Sequence, residues 1–140
     1  MKRLFVVLLV LVTWNVSGCH DAAVGLPEML RGTYTLRSIG GKRVPYSYPW
    51  PGGGREMRIR GGRLTLRSDR TYSFVIEHQM IDASGTTSGR TTETGTWVAF
   101  SAVDFELHRE NMPSMAGVRT SWRTLMIGGD AWTPVHEFTR

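Results

Sequence analysis

The sequence predicts an all-β domain, a small antiparallel up-and-down β-barrel of about eight strands that follows a signal peptide and a short tether. Apolar and polar residues alternate along several segments, as in strands that bury one face and leave the other in water. Glycine pairs interrupt these segments, and no stretch of useful length has a helical period. Many short strands joined by tight turns suit a closed barrel, because closure removes unpaired sheet edges.

The alternation is clearest in residues 71–81, where Tyr72, Phe74 and Ile76 share one parity and Glu77 has the other. The predicted strands are 32–39, 42–46, 55–60, 63–68, 71–81, 91–100, 103–109 and 117–127, with a ninth candidate at 131–139. The predicted turns are the glycine pairs 40–41, 61–62 and 128–129, the polar tripeptide 68–70 and a longer polar loop at 82–89.

The first 18 residues have the three-part layout of a secretory signal. Lys2 and Arg3 form the positive start, residues 4–12 are an unbroken apolar run, and small residues follow at 17–18. A membrane-spanning helix needs roughly 20 apolar residues, so this run is too short to be a permanent span. We therefore divide the chain into a signal peptide (1–18), a tether (19–30) and a barrel domain (31–140).

The predicted cut site precedes Cys19. Residues 16–19 (Val-Ser-Gly-Cys) resemble the lipobox of bacterial lipoproteins, in which the cysteine is acylated, with palmitate among the acyl chains, and becomes the new N-terminus. An ordinary cut after Gly18 is the alternative. Cys19 is the only cysteine, so no intramolecular disulfide can form. In the Gram-negative families that this segment resembles, His20 after the cysteine favours the outer membrane, facing the periplasm.

Three further segments carry a second resemblance: 32–41 (Gly-Thr-Tyr-Thr-Leu-Arg-Ser-Ile-Gly-Gly), 62–72 (Gly-Arg-Leu-Thr-Leu-Arg-Ser-Asp-Arg-Thr-Tyr) and 95–97 (Gly-Thr-Trp). Together they look like the small lipocalin-like domains of bacterial lipoproteins, and the likeness runs over residues 31–140. Arg70 stands where that family usually has a turn glycine. The resemblance implies an antiparallel barrel or half-barrel with an apolar cavity. Most members have no assigned activity, so it implies no reaction.

Composition and motifs argue against several classes of function. The chain has 17 basic and 12 acidic residues, so removal of Lys2 and Arg3 leaves a small excess of positive charge, spread along the sequence, and no nucleic-acid partner is predicted. No Gly-x-Ser-x-Gly elbow or phosphate-cradling glycine loop is present. Asp104 and Glu106 share the wet face of one strand. We therefore predict neither an enzyme nor a cofactor.

Two histidines fall on apolar parities. His78 aligns with Phe74, and His136 aligns with Trp132 and Phe138. Two histidines that face one interior could bind a metal or a ligand's carboxylate, whereas at strand ends they would be exposed or bonded to backbone carbonyls. A third ligand is missing, so no metal site is predicted.

If the barrel holds a small apolar ligand, we expect Tyr34, Phe74, Trp97 and Trp122 to line the cavity and His78 to be its polar contact. Small barrels are also often filled by their own side chains. Residues 46–51 (Tyr-Ser-Tyr-Pro-Trp-Pro) are predicted to form a loop, because proline interrupts strand pairing. Their aromatic residues would form either a lip that contacts a ligand, partner or lipid, or a plug in one end of the barrel. The aromatic residues concerned are Tyr46, Tyr48 and Trp50.

The predicted function is that of a lipid-anchored envelope protein with a non-enzymatic barrel that binds a small apolar ligand. The alternative is a protein-interaction module, an envelope stress, assembly or inhibitor lipoprotein, with a filled barrel. The predicted partners are thus the membrane, through the lipid anchor, and either a small apolar ligand or an envelope protein.

Overall fold

The computed structural model describes residues 26–128 and 134–140. The predicted signal peptide, its cut site, Cys19 and the first residues of the candidate ninth strand lie outside these ranges. One short helix, α1 (Leu26–Leu30), precedes ten strands. The strands are β1 (Gly32–Ile39), β2 (Lys42–Arg43), β3 (Tyr46–Pro49), β4 (Arg55–Leu66), β5 (Thr71–Asp82), β6 (Gly85–Ala99), β7 (Asp104–Arg109), β8 (Met115–Arg119), β9 (Thr124–Ile127) and β10 (His136–Thr139).

Eight of these strands close an antiparallel barrel. Strands β4 to β10 pair in sequence order, each with the next, and β1 pairs with both β10 and β4. Strands β2 and β3 are additional short strands that pair with β1 and β4 respectively. The predicted all-β, up-and-down, eight-stranded barrel is therefore confirmed.

The barrel has two different ends, because β1 and β4 pair along only part of their length. Gly32–Thr35 of β1 pairs with Arg63–Leu66 of β4. Beyond this, β1 pairs with β2 and β4 pairs with β3, so the two short strands occupy the gap. We call the end where β1 begins the closed end and the end where β1 and β4 separate the open end. The turns 67–70, 100–103 and 120–123 lie at the closed end.

Large apolar side chains fill the closed end. Leu30, Tyr34 and Trp97 are almost completely buried there. The Tyr34 hydroxyl donates a hydrogen bond of 2.7 Å to the Leu30 carbonyl, and the Trp97 indole N–H donates one of 3.1 Å to the Arg67 carbonyl. These bonds satisfy the polar atoms of both aromatic side chains, so helix α1 and the 67–70 turn seal this end of the core.

The prediction of a turn at Gly61-Gly62 is wrong. The predicted strands 55–60 and 63–68 form one strand, β4, with a bulge between Ile59 and Gly61. A Cβ on Gly62 would lie 2.7 Å from the Val75 carbonyl oxygen and 3.0 Å from Leu36 Cδ2. This glycine therefore allows β1 to approach β4 closely, a role that the sequence does not distinguish from a turn.

Two other predicted boundaries are also wrong. The polar loop at 82–89 is a tight connection, since β6 begins at Gly85 and pairs with β5 from there. The polar residues at the start of β6 are exposed on both faces of the strand, so the sequence shows no alternation there that would predict a strand. The predicted strand 117–127 is two strands, β8 and β9, separated by a turn in which the Ser121 hydroxyl accepts bonds from the backbone N–H groups of Arg123 and Thr124.

The predicted loop at 46–51 begins as a strand. Residues Tyr46 to Pro49 form β3, which pairs with β4 from Ile59 to Glu56. The prolines are tolerated because β3 is the outermost strand and has one edge that forms no ladder among the described residues.

Gly117 faces the ring of Phe105 directly across the β7–β8 pair. An ideal Cβ at Gly117 would overlap the Phe105 ring carbons, whereas one at Gly61 would meet nothing within 4 Å. We expect Gly117→Ala to lower the free energy of unfolding by about 1–3 kcal/mol through overpacking. Gly61→Ala is the matched control and should stay within about 0.5 kcal/mol of the parent. Urea unfolding measures both, and equal losses would contradict the packing described.

Candidate functional site

A pocket of about 450 Å³ lies at the open end of the barrel. It occupies the region where β1 and β4 separate and where β2 and β3 complete the wall. Its lining is mostly aliphatic and aromatic, and it also includes one lysine and one histidine. The lining residues are Ile39, Gly40, Lys42, Tyr46, Tyr48, Ile59, Ile76, Pro134 and His136.

Strand β3 supplies the aromatic wall of the pocket. Tyr46 and Tyr48 are two residues apart, so both side chains lie on one face, and their rings stack with centroids 5.7 Å apart. Tyr46 is paired with Ile59 of β4, which also lines the pocket. Burial raises the pKa of Tyr48, so this phenol stays protonated at neutral pH.

His136 forms the buried part of the pocket. It is only 7% exposed, and the Phe74 ring meets it edge-on at 5.4 Å. Its Nδ1 atom is buried and has no hydrogen-bond partner within residues 26–128 and 134–140. Burial lowers the pKa of His136, while the nearby carbonyls of Pro134 and Ile127 and the charge of Glu93 oppose the fall. Burial thus favours the neutral imidazole, and none of the described residues gives Nδ1 a hydrogen bond.

Lys42 stands at the rim of the same pocket. Its side chain is exposed, on the short strand β2. Apart from Lys2 it is the only lysine in the sequence. The pocket therefore combines a largely apolar interior, which includes the His136 ring, with one cation at its rim.

The predicted ligand-binding residues do not gather in this pocket. Tyr34 and Trp97 are packed into the closed end. Phe74 lies beside the pocket, against His136. Trp122 is 67% exposed in the turn between β8 and β9, and the Arg123 guanidinium lies 4.3 Å from its ring centroid.

His78 lies outside the pocket, over the backbone of β6. A Cβ on Gly89 would lie 2.5 Å from its Nε2 atom. With Arg60 and Arg90 it lines a separate cleft of about 460 Å³ whose other residues are mostly polar. His136, and not His78, is thus the histidine that faces the apolar pocket.

The aromatic residues predicted to form either a lip or a plug lie at or next to the observed pocket. Tyr46 and Tyr48 line it, and Trp50, which is 38% exposed, follows directly on β3. Sequence analysis did not identify Lys42, Ile59 or Ile76 as lining residues. The alternation of β4 and β5 places both isoleucines inside, but only the separation of β1 from β4 shows that they border open space.

One half-buried carboxylate, that of Glu93, already has hydrogen-bond partners on both of its oxygens. Glu93 accepts a 2.7 Å bond from the Tyr72 hydroxyl through Oε1, and bonds of 3.0 and 2.7 Å from Nε and Nη2 of Arg109 through Oε2. Burial, together with Glu93, raises the pKa of Tyr72. Both carboxylate oxygens are engaged, so this group stabilises the barrel interior and is not poised to transfer a proton.

Two further observations concern metal and membrane. Within the part of the chain that the structure describes, no three His, Cys, Asp or Glu side chains come together as a metal site. No helix in that same part is long and apolar enough to cross a bilayer.

Acidification is expected to destabilise the fold through His136. Its folded pKa lies below the ordinary 6.5, so the unfolded chain takes up this proton first as the pH falls, and the free energy of unfolding decreases from about pH 6.5 downward. The pKa values of Asp69 and Asp82 are lowered from the ordinary 3.8, so these carboxyls affect the free energy of unfolding only in more acidic solution.

Urea unfolding between about pH 7.5 and pH 5 measures this slope. His136→Phe should flatten it, whereas Ile127→Val, which changes the residue paired with His136 but keeps the imidazole, should leave the slope unchanged. A full slope in His136→Phe would assign the effect to another group.

No protein-family model matches this chain, and no curated protein or solved structure matches it at a significant level. The pocket, the buried histidine and the sequence pattern of the first 19 residues are therefore the observations on which a function can be argued.

Proposed function

We propose that the chain is a lipid-anchored envelope protein whose barrel binds a small, largely apolar ligand at its open end and catalyses no reaction on it. The observation that carries the proposal is the largely apolar pocket of about 450 Å³ at the open end of the barrel, with the His136 ring in its wall. Ligand sites typically have volumes of roughly 300–1,000 Å³, apolar walls and a few placed polar groups.

The polar groups of the pocket suggest how such a ligand would be held. Isoleucine and tyrosine side chains contact its apolar part. The His136 ring lines the inner part of the pocket and adds to this contact surface. Lys42 at the rim can contact a polar or anionic group that remains near solvent. The ligand is thus amphipathic, with its apolar part inside.

The anchor is supported by the sequence alone. The charged start, the short apolar run and the lone Cys19 after Ser17-Gly18 form one continuous pattern. Two or three acyl chains hold a protein stably, because each buried methylene contributes about 0.8 kcal/mol, whereas one chain binds only marginally. We place the protein at the outer membrane, facing the periplasm.

A second candidate function is a protein-interaction module, and the free edge of β6 favours it. Strand β6 pairs with β5 from Gly85 onward, but β7 pairs only with Gly95–Ala99. Residues 85–94 thus present an edge that no described strand covers. An extended segment of a partner could add to such an edge.

The pocket is tested with residues 20–140, which contain every described residue and the whole barrel. The probe is 8-anilinonaphthalene-1-sulfonate, which has an apolar ring system and one anionic group. We expect it to bind with enhanced fluorescence and Ile76→Trp, which fills the pocket, to weaken binding at least about tenfold. Met126→Trp is the matched control, since Met126 lies on the outer wall at 37% exposure. Equal binding by both variants, or none by the parent, would reject the pocket as a site.

The anchor is tested separately by the intact mass of the protein extracted from membranes. We expect the mass of residues 19–140 plus that of the acyl groups, and Cys19→Ser should abolish the addition. An unmodified cysteine, or a chain that still carries residues 1–18, contradicts the lipid anchor. Neither result affects the pocket test, which uses a chain without Cys19.

A further inference from the structure

The closed end of the barrel gathers segments that are distant in sequence. The backbone N–H of Arg119 donates to the Val103 carbonyl (2.7 Å), and that of Arg140 donates to the Arg123 carbonyl (3.0 Å). The Arg140 side chain also donates to the Arg31 carbonyl through Nη1 (2.8 Å). The turns 100–103 and 120–123, the C-terminus and the residue after α1 therefore form one continuous surface.

This surface carries the most exposed large apolar side chains among the described residues. Trp122 is 67% exposed and Phe100 is 63% exposed. Met29 and Val103 accompany them at 45% and 42%. A single exposed apolar residue is ordinary, but two aromatic side chains at the turns of one end, with aliphatic neighbours, mark an interaction surface.

Arginines lie at the same end of the barrel as these apolar residues. The closed end carries six arginines and three carboxylates. The arginines are Arg31, Arg67, Arg70, Arg119, Arg123 and Arg140, and the carboxylates are those of Glu28, Asp69 and Asp104. The carboxylates are engaged locally. Glu28 pairs with Arg31 at 2.7 Å, Asp69 accepts from Thr71, and Asp104 accepts from Ser101. The surface is thus positively charged around an apolar centre, which complements an anionic lipid surface.

The chain enters the barrel at this same end. Helix α1 ends at Leu30, directly before the start of β1. Cys19 precedes Leu26 by seven residues, and even a fully extended chain spans at most about 3.6 Å per residue. A lipid on Cys19 therefore keeps the closed end within roughly 25 Å of the membrane.

We infer that the closed end is a docking face for the anionic lipid membrane to which the proposed anchor attaches, and this inference rests on that anchor for its setting. Trp122 and Phe100 lie at the lipid–water interface, the depth that amphipathic aromatic rings prefer. The arginines contact lipid phosphates, which guanidinium groups bind in bidentate geometry. The Arg123 guanidinium over the Trp122 ring places an aromatic group and a cation together at the membrane.

The docking face also orients the ligand pocket. The pocket lies at the open end, bordered by Gly40 and Pro134 in the connections opposite to the turns of the closed end. A barrel docked by its closed end therefore presents its pocket to the aqueous side. The ligand then enters from the periplasm and not directly from the bilayer.

Vesicle binding of residues 20–140 tests the docking face without the anchor. The probes are vesicles of phosphatidylethanolamine with phosphatidylglycerol, and vesicles of phosphatidylcholine alone. We expect binding to the anionic vesicles only, weakened by salt because the charges are exposed. Trp122→Ser should weaken it about tenfold or more, and Arg123→Gln about fivefold. The matched controls Met112→Ser and Arg90→Gln change exposed residues away from the closed end and should bind as the parent does.

A labelled chain gives the orientation directly. Residues 20–140 contain no cysteine, so Phe100→Cys and Met112→Cys each carry an environment-sensitive fluorophore at one site. On anionic vesicles the fluorescence emission of the label at position 100 should shift to shorter wavelength, and that of the label at position 112 should not.

Absent binding, equal binding to neutral vesicles, equal loss in the control variants or equal shifts of the two labels each overturns the docking face. The chain used here lacks Cys19, so failure of this test is distinct from failure of the anchor, which the intact mass reports.

Discussion

Closure of the barrel depends on four residue pairs between β1 and β4, from Gly32–Leu66 to Thr35–Arg63. Both strands bulge just beyond these pairs, β1 between Leu36 and Ser38 and β4 between Ile59 and Gly61. Bulges bend a strand and increase its twist. The Arg37 carbonyl at the first bulge accepts a 3.0 Å bond from the Val44 N–H, so β2 continues the wall where β4 leaves it. One edge of β1 thus pairs first with β4 and then with β2, and the barrel is closed at one end only.

This partial closure accounts for the difference between the two halves of the interior. Where β1 and β4 pair, Tyr34 and Trp97 fill the space and donate their polar hydrogens to backbone carbonyls. Where the strands separate, the wall consists of shorter strands and the interior is not filled. Leaving the Nδ1 atom of His136 without a partner costs about 1–3 kcal/mol. Because this nitrogen is itself buried, a ligand in the pocket would contact the ring of His136 and not its Nδ1 atom.

Sequence reasoning predicted the strands that bury one face and missed the places where partner strands change. The alternation around Tyr72 and Phe74 is sufficient to predict β5, because one face of that strand meets the core along this stretch. Gly61-Gly62 has the composition of a turn. In the structure, however, Leu36 approaches Gly62 so closely that a side chain at Gly62 has no room. The same limit applies to the site. Parity left open whether His136 faces the interior or is exposed at a strand end. Whether an inward residue then meets packed side chains or open space depends on how far apart β1 and β4 are, and no local pattern encodes that distance.

The up-and-down topology then determines where the proposed ligand and the proposed membrane surface lie relative to each other. In such a barrel successive connections alternate between the two ends, so the start of β1 and the turns after β4, β6 and β8 share one end. The N-terminal segment must therefore enter at the end opposite to the β1–β2 connection, beside which the pocket lies. The tether and the pocket therefore lie at opposite ends of the barrel whatever any single side chain is. Bringing them to the same end would require reversing the direction of β1. Side chains decide only what each end can contact. Trp122, Phe100 and the surrounding arginines make the closed end suited to an anionic lipid surface, and Tyr46, Tyr48 and His136 make the open end suited to an amphipathic molecule.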